Sequence, residues 1–138
     1  MIKSFSIGKW SPHNTDTYYE YDEFGNKIDV KGYHIRKDTI LGYHYVFQYN
    51  ENGQQTKKES KTGYFYDYNE YNTLFTTYDD HKNITQQEYI RNNQTVKMIR
   101  YVYTYDSYEN WIKREQYEGE TEENLSVKLV DEREIEYY

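Results

Sequence analysis
Aromatic residues recur at every second position in several short stretches: Tyr19 and Tyr21; Tyr43, Tyr45, Phe47 and Tyr49; Tyr64, Tyr66 and Tyr68; Tyr101, Tyr103 and Tyr105. A period of two places the rings of one stretch on one face of a β-strand. Each stretch is followed by a polar cluster of Asp, Asn or Gly, and then by a shorter alternating run such as Lys27-Ile28-Asp29-Val30, Ile84 to Tyr89 or Trp111 to Glu115. That order of strand, turn and strand describes a β-hairpin. Further turns are expected near Asp38, from Ser60 to Gly63, at Asn92-Asn93 and from Glu118 to Glu123. The strands between them number about ten. The acidic residues 118–136 are read as a last hairpin arm, with a helix as the alternative.

The hairpins repeat. Four segments align: Tyr21-Asp22-Glu23-Phe24-Gly25-Asn26, Tyr49-Asn50-Glu51-Asn52-Gly53-Gln54, Tyr78-Asp79-Asp80-His81-Lys82-Asn83 and Tyr105-Asp106-Ser107-Tyr108-Glu109-Asn110. Their leading tyrosines stand 28, 29 and 27 residues apart, and a looser copy begins at Tyr68. Asp or Asn starts such a turn by bonding its own backbone, and Gly or Asn supplies a left-handed residue. The turn positions are therefore Asp22, Gly25, Asn26, Asn50, Gly53, Asp79, Asn83, Asp106 and Asn110. The expected fold is all-β, an antiparallel meander of about ten strands in one twisted or partly curled sheet. Residues 1–138 are read as a single hairpin-repeat domain with units starting near Tyr21, Tyr49, Tyr78 and Tyr105.

Composition sharpens that reading. Leu, Ile, Val and Phe number only 25 of 138 residues, and the net charge is −7. Such values usually mark a disordered chain. Twenty tyrosines offset the shortage, because each ring offers a large apolar area and only a hydroxyl to satisfy. Four leucines and no alanine argue against helices. The absence of cysteine excludes disulfide and thiol chemistry. No run reaches the ~18 apolar residues of a membrane span. Residues 1–10 lack the apolar core of a signal peptide. The expected location is cytoplasmic if Met1 is native, and the cell surface or outside if a leader was removed. No phosphate loop, His-Glu-x-x-His or Gly-x-Ser-x-Gly is present, and no cofactor is expected. With 24 acidic against 17 basic residues, nucleic acid is an unsuitable partner and a basic protein surface a natural one.

The candidate contact residues are exposed aromatics and acids: Trp10, Tyr43, Tyr45, Tyr64, Tyr66, Tyr101, Tyr103, Trp111, Glu120, Glu122 and Glu123. The tyrosine ladder reads first as cross-strand glue, worth roughly 0.2–1 kcal/mol per pair, with a minority of rings left to form a contact face. Trp111 is expected to anchor the sheet. Gly32-Tyr33-His34-Ile35 and Gly42-Tyr43-His44-Tyr45 are near copies about a turn at Asp38. Pairing them about that turn sets His34 opposite Tyr43 and Tyr33 opposite His44. A metal there would need a third ligand such as Asp29 or Asp22, and none is placed by the sequence. Carboxylate pairs are plentiful, but no cleft is legible that would raise a carboxyl pKa for catalysis. No enzyme activity is expected.

At Tyr-x-Tyr-Asp-x-x-Gly-Asn the sequence resembles the tyrosine–aspartate (YD, or Rhs-type) repeat family of bacteria. Tyr19, Tyr21, Asp22, Gly25 and Asn26 match in full. Tyr103 to Trp111 matches with Glu109 in place of glycine, and Tyr49 to Gln54 with Asn50 in place of Asp. Tyr78 to Asn83 keeps Tyr, Asp and Asn. The resemblance implies a meander of hairpins. Larger members wind many hairpins into a shell around a toxin, and four or five units are too few for one. The expected function is non-enzymatic: an acidic inhibitor or immunity-type partner of a basic protein such as a toxin. The alternative is a surface or secreted module that binds glycans through exposed tyrosines. Association of copies through sheet edges is a further expectation.

Overall fold
The computed structural model describes residues 2–6, 15–35, 39–61 and 72–137. Among them lie ten strands: β1 (Ile2–Ser6), β2 (Thr15–Tyr21), β3 (Lys27–Ile35), β4 (Thr39–Tyr49), β5 (Gln55–Ser60), β6 (Thr73–Tyr78), β7 (Ile84–Arg91), β8 (Gln94–Tyr105), β9 (Trp111–Gly119) and β10 (Ser126–Glu132). One turn of 3₁₀ helix, Glu122–Asn124, joins the last two. Strand order follows chain order from β1 to β10 without a crossover. The chain is thus the all-β antiparallel meander that the alternation predicts, and residues 118–136 supply a strand rather than a helix. It divides into two compact units, 1–73 and 74–138.

The repeated segments are hairpin turns built to one plan. In the first, the N–H of Asp22 donates to the carbonyl of Asn26 at 2.9 Å and the N–H of Gly25 to the carbonyl of Asp22 at 3.2 Å. The same two bonds recur at Asn50 to Gln54, Asp79 to Asn83 and Asp106 to Asn110. The fourth residue of each turn has a positive φ: Gly25 at 84°, Gly53 at 72°, Lys82 at 66° and Glu109 at 64°. A turn followed by one left-handed residue gives a three-residue hairpin loop with a bulge. The strand register accordingly slips beside the turn, at Glu20/Tyr21, Gln48/Tyr49 and Thr104/Tyr105. The β7–β8 turn differs. Asn92 and Asn93 both have positive φ, at 50° and 64°, and Arg91 pairs with Gln94. This is the two-residue turn that matches strand twist, and the Asn pair marks it in the sequence.

The rings at alternate positions do lie side by side. Centroids are 6.5 Å apart for Tyr19–Tyr21, 5.8 Å for Tyr43–Tyr45, 6.5 Å for Tyr101–Tyr103 and 6.0 Å for Tyr103–Tyr105. Long cationic side chains cover several of them: Lys27 Nζ lies 5.0 Å from the Tyr19 centroid and Lys58 Nζ 4.8 Å from that of Tyr45. Apolar stems shelter the rings while the charges stay in water. Among the described residues the buried apolar side chains are Val30, Met98 and Ile99, and none is fully enclosed. Strands β5 and β9 are half-buried along their whole length rather than on alternate residues. Stability is therefore spread over many cross-strand pairs instead of a compact apolar core.

One expected register is corrected. Tyr33 stands opposite Leu41, His34 opposite Ile40 and Lys31 opposite His44, so neither His34–Tyr43 nor Tyr33–His44 is a pair. The reason is where the ladder is centred: Ile35 pairs with Thr39, about position 37 rather than between 38 and 39, and a bulge then moves the register back by one residue. Gly32 pairs with Tyr43 and Tyr33 with Leu41, which leaves Gly42 as the extra residue. Gly32 is required where it is: a Cβ there would lie 2.2 Å from the Tyr43 ring, which crosses the glycine to bring its hydroxyl within 2.9 Å of Thr17 Oγ1.

The left-handed positions give the first test. A Cβ on Gly25 meets nothing within 4 Å, so Gly25→Ala isolates the backbone cost. The variant should lose about 1 kcal/mol of unfolding free energy in urea, whereas Glu109→Gly should shift the midpoint upward. A neutral Gly25→Ala together with a destabilising Glu109→Gly would rule out this account of the turns.

Candidate protein-binding face
The turn residues do more than reverse the chain. Asp22 Oδ1 accepts from the N–H groups of Phe24 at 3.0 Å and Asn26 at 2.8 Å, and Oδ2 accepts from Asn26 Nδ2 at 2.9 Å. Asn50 repeats this with Asn52 and Gln54, but its own Nδ2 donates to Gln54 Oε1 at 2.9 Å. The pair has changed from Asp with Asn to Asn with Gln, and donor still meets acceptor. In the second unit a tyrosine joins each turn. The Tyr105 hydroxyl donates to Asp79 Oδ2 and accepts from Asn83 Nδ2 at 2.8 Å. The Tyr137 hydroxyl donates to Asp106 Oδ2 and accepts from Asn110 Nδ2 at 2.9 Å. In the first unit the Tyr49 hydroxyl donates to the carbonyl of Lys27, the first residue of β3, at 2.9 Å. Tyr105, which leads the fourth repeat, is thus the clasp on the third repeat's turn, and Tyr137, 32 residues further on, is the clasp on the fourth's. Rings stack on these clasps too: His81 on Tyr105 at 4.0 Å and Tyr108 on Tyr137 at 4.4 Å.

The clasps set the local titration. Burial pushes Tyr105 up, and its bond to Asp79 pushes it further, to about 12. Burial also opposes ionisation of Asp79, but the Tyr105 hydroxyl and the turn N–H groups hold its carboxyl below the ordinary value. Asp106 is lowered chiefly by the Tyr137 hydroxyl, and Asp22 chiefly by the Asn26 side chain.

Beside the 79–83 turn, one face of β8 to β10 carries an aromatic and cationic cluster. Tyr105 pairs with Trp111, Tyr103 with Arg114, and Arg114 with Asp131. The register slip next to Trp111 brings it to the same face as Arg114, whose guanidinium lies 5.7 Å from the Trp111 ring and 5.8 Å from that of Tyr101. Arg114 is held by Asp131 at 2.5 Å. Arg133 lies 3.8 Å over the Trp111 ring and donates from Nε to the Trp111 carbonyl. The Tyr103 hydroxyl donates to the carbonyl of Ile84 at 3.0 Å.

Of the expected contact residues, Trp10, Tyr64 and Tyr66 lie outside the described residues, as do the turn at Asp38 and the copy at Tyr68. Tyr43, Tyr45, Tyr101, Tyr103 and Trp111 are half-buried. Tyr45, Tyr101 and Trp111 lie under cations, and the hydroxyls of Tyr43 and Tyr103 are bonded. Glu120, Glu122 and Glu123 are exposed. Among the described residues the most exposed aromatics are two that the alternation does not single out, Phe24 at 82% and Tyr108 at 67%. Both stand third in their turns, and position in the repeat could have flagged them. Asp29 accepts a hydrogen bond from His44 Nε2 at 2.7 Å and pairs with Lys31 Nζ at 3.1 Å. Among the described residues no three His, Asp or Glu side chains converge on a metal position.

The charge is segregated along the chain. Residues 115–136 hold nine of the 24 acidic residues and two of the 17 basic ones; elsewhere fifteen acids face fifteen bases. A net charge of −7 therefore falls within residues 115–136, after the Lys113-Arg114 pair near the start of β9. Part of it is answered internally, by Lys97–Glu118 at 2.9 Å, Lys113–Glu115 at 3.0 Å and Arg100–Glu122 at 2.6 Å. The loop itself is ordered by Asn124, whose Oδ1 accepts from the N–H groups of Glu120 at 2.9 Å and Thr121 at 2.8 Å. The strand carries exposed apolar side chains besides: Val127 at 53%, Leu129 at 44% and Val130 at 45%. The chain matches no protein-family model and no curated protein.

The clasp yields a pH test. A tyrosine whose pKa is raised on folding supports the fold fully below its unfolded value near 10 and loses that support as pH rises through about 12. Wild-type stability should fall across that window, and Tyr105→Phe should flatten this part of the profile while lowering stability at neutral pH by about 1–2 kcal/mol. The carboxylates run the other way. Asp22, Asp79 and Asp106 are lowered, so their support is present above the ordinary value of 3.8 and is lost as pH falls below it. An alkaline profile unchanged by Tyr105→Phe would contradict the clasp.

Proposed function
We propose that this protein is a non-enzymatic binding protein whose acidic β9–β10 hairpin engages a basic protein, as an inhibitor or immunity-type partner of a basic toxin would. The observation that carries the reading is the segregation of the entire net charge into residues 115–136. Charge gathered on one exposed element steers an oppositely charged partner and raises its association rate. The exposed valines and leucine of β10 supply the apolar contact that charge alone does not. The resemblance to repeats associated with toxin systems favours the same reading. Glycan binding through tyrosines draws less support, because cations cover the rings of Tyr19, Tyr45 and Tyr101 where a sugar would have to stack.

The test is affinity capture from lysate of the source organism at low and moderate salt, followed by association kinetics with the captured protein. One stoichiometric basic partner is expected. Its association rate should fall roughly tenfold or more as salt rises through the physiological range, and Glu120→Gln/Glu123→Gln should reduce both rate and salt dependence. A partner whose association ignores salt and these two glutamates would defeat the reading.

A further inference from the structure
We propose that the outer edge of β10, from Leu129 to Glu132, accepts an extended segment of the partner protein in which apolar residues alternate with Lys or Arg. This rests on the acidic-hairpin reading above and adds the mode of recognition. β10 ends the strand order, and its pairing is with β9. The N–H of Arg133 donates to the carbonyl of Ile112 at 3.0 Å, with Glu132 opposite Lys113 and Val130 opposite Glu115. Along an antiparallel strand, main-chain groups point alternately to one neighbour and the other. Arg133 and Asp131 therefore turn their main-chain groups towards β9, and Val130 and Glu132 turn theirs outward, to where another strand would lie.

Edges of this kind are normally blunted by charge, proline or a bulge. β10 uses a bulge at Lys128, between Val127 and Leu129, which interrupts the ladder on its N-terminal side. Beyond the bulge the edge runs regularly to Arg133, with Leu129 and Val130 both substantially exposed. An added strand would gain main-chain bonds at Val130 and Glu132, with its apolar face against Leu129 and its basic face against Glu132. Charge selects the occupant. Asp131 and Glu132 stand on this stretch and Glu134 and Glu136 follow it, four acids against Lys128 and Arg133, so a strand with Lys or Arg at alternate positions is favoured over a second β10 edge.

The test uses the full chain and two fluorescent ten-residue peptides of identical composition, one alternating Lys with Val and one carrying the five Lys as a block. The probes are compared on wild type and on Val130→Pro, which deletes an outward N–H and leaves the β9 ladder intact, as proline at an edge can. The alternating peptide should bind at least tenfold tighter than the block peptide, and Val130→Pro should erase the preference. In wild type, amide exchange at Val130 and Glu132 should slow when the alternating peptide is added. That readout stands even if the proline variant fails to fold. Equal, salt-sensitive binding of both peptides with unchanged exchange at those amides would overturn the edge proposal and leave the acidic-hairpin reading in place. Binding of neither peptide would overturn both, as would self-association through β10 that the peptides do not disturb.

Discussion

The bond between a tyrosine hydroxyl and the turn of the preceding hairpin is the constraint on which the rest of this structure depends. A chain with 25 strong apolar residues cannot assemble a conventional core, and its rings must serve instead. A buried ring helps only if its hydroxyl finds a partner. The turn carboxylate provides one, since Oδ1 is taken up by backbone N–H groups and Oδ2 is left to accept. At Asp79 and Asp106 that second oxygen takes a tyrosine, and the neighbouring Asn completes the exchange. Within the second unit, the strand that carries Tyr105 and the segment that carries Tyr137 are thereby each fixed to the turn before them. The left-handed residue belongs to the same device, because it closes the loop that presents the carboxylate.

Much of this was legible in the sequence. Alternating rings gave the strands, the Asp or Asn with Gly or Asn gave the turns, and the spacing of the leading tyrosines gave the repeat. The clasp between repeats was not, because it joins residues 26 and 31 apart whose pairing depends on neighbouring strands. The His34–Tyr43 register failed because the β3–β4 ladder is centred about position 37 rather than between 38 and 39, and such a shift changes every partner along the pair. Exposure was misjudged wherever a long side chain from the next strand covers a ring, as Lys58 does Tyr45. The acidic loop was singled out at Glu120, Glu122 and Glu123. That the rest of the chain is neutral emerges only when the charges are divided between elements.

The two halves of the account concern different residues. The clasps consume the turn carboxylates in structure and leave them little freedom for chemistry, while the excess acid is gathered at β9 and β10. A repeat that resolves its own polar groups in turns can vary its outer edge at little cost to the fold. The proposed role in binding a basic partner uses that freedom, with steering from the glutamates and contact from the β10 edge.

The most direct test of the central claim is a double-mutant cycle between Asp79→Ala and Tyr105→Phe, read by urea unfolding at neutral pH. If the clasp holds successive hairpins together, the two changes should be non-additive, with a coupling energy on the order of 1 kcal/mol or more. Additive effects would show that the hydroxyl and the carboxylate act independently, and the clasp could not then be what the meander rests on.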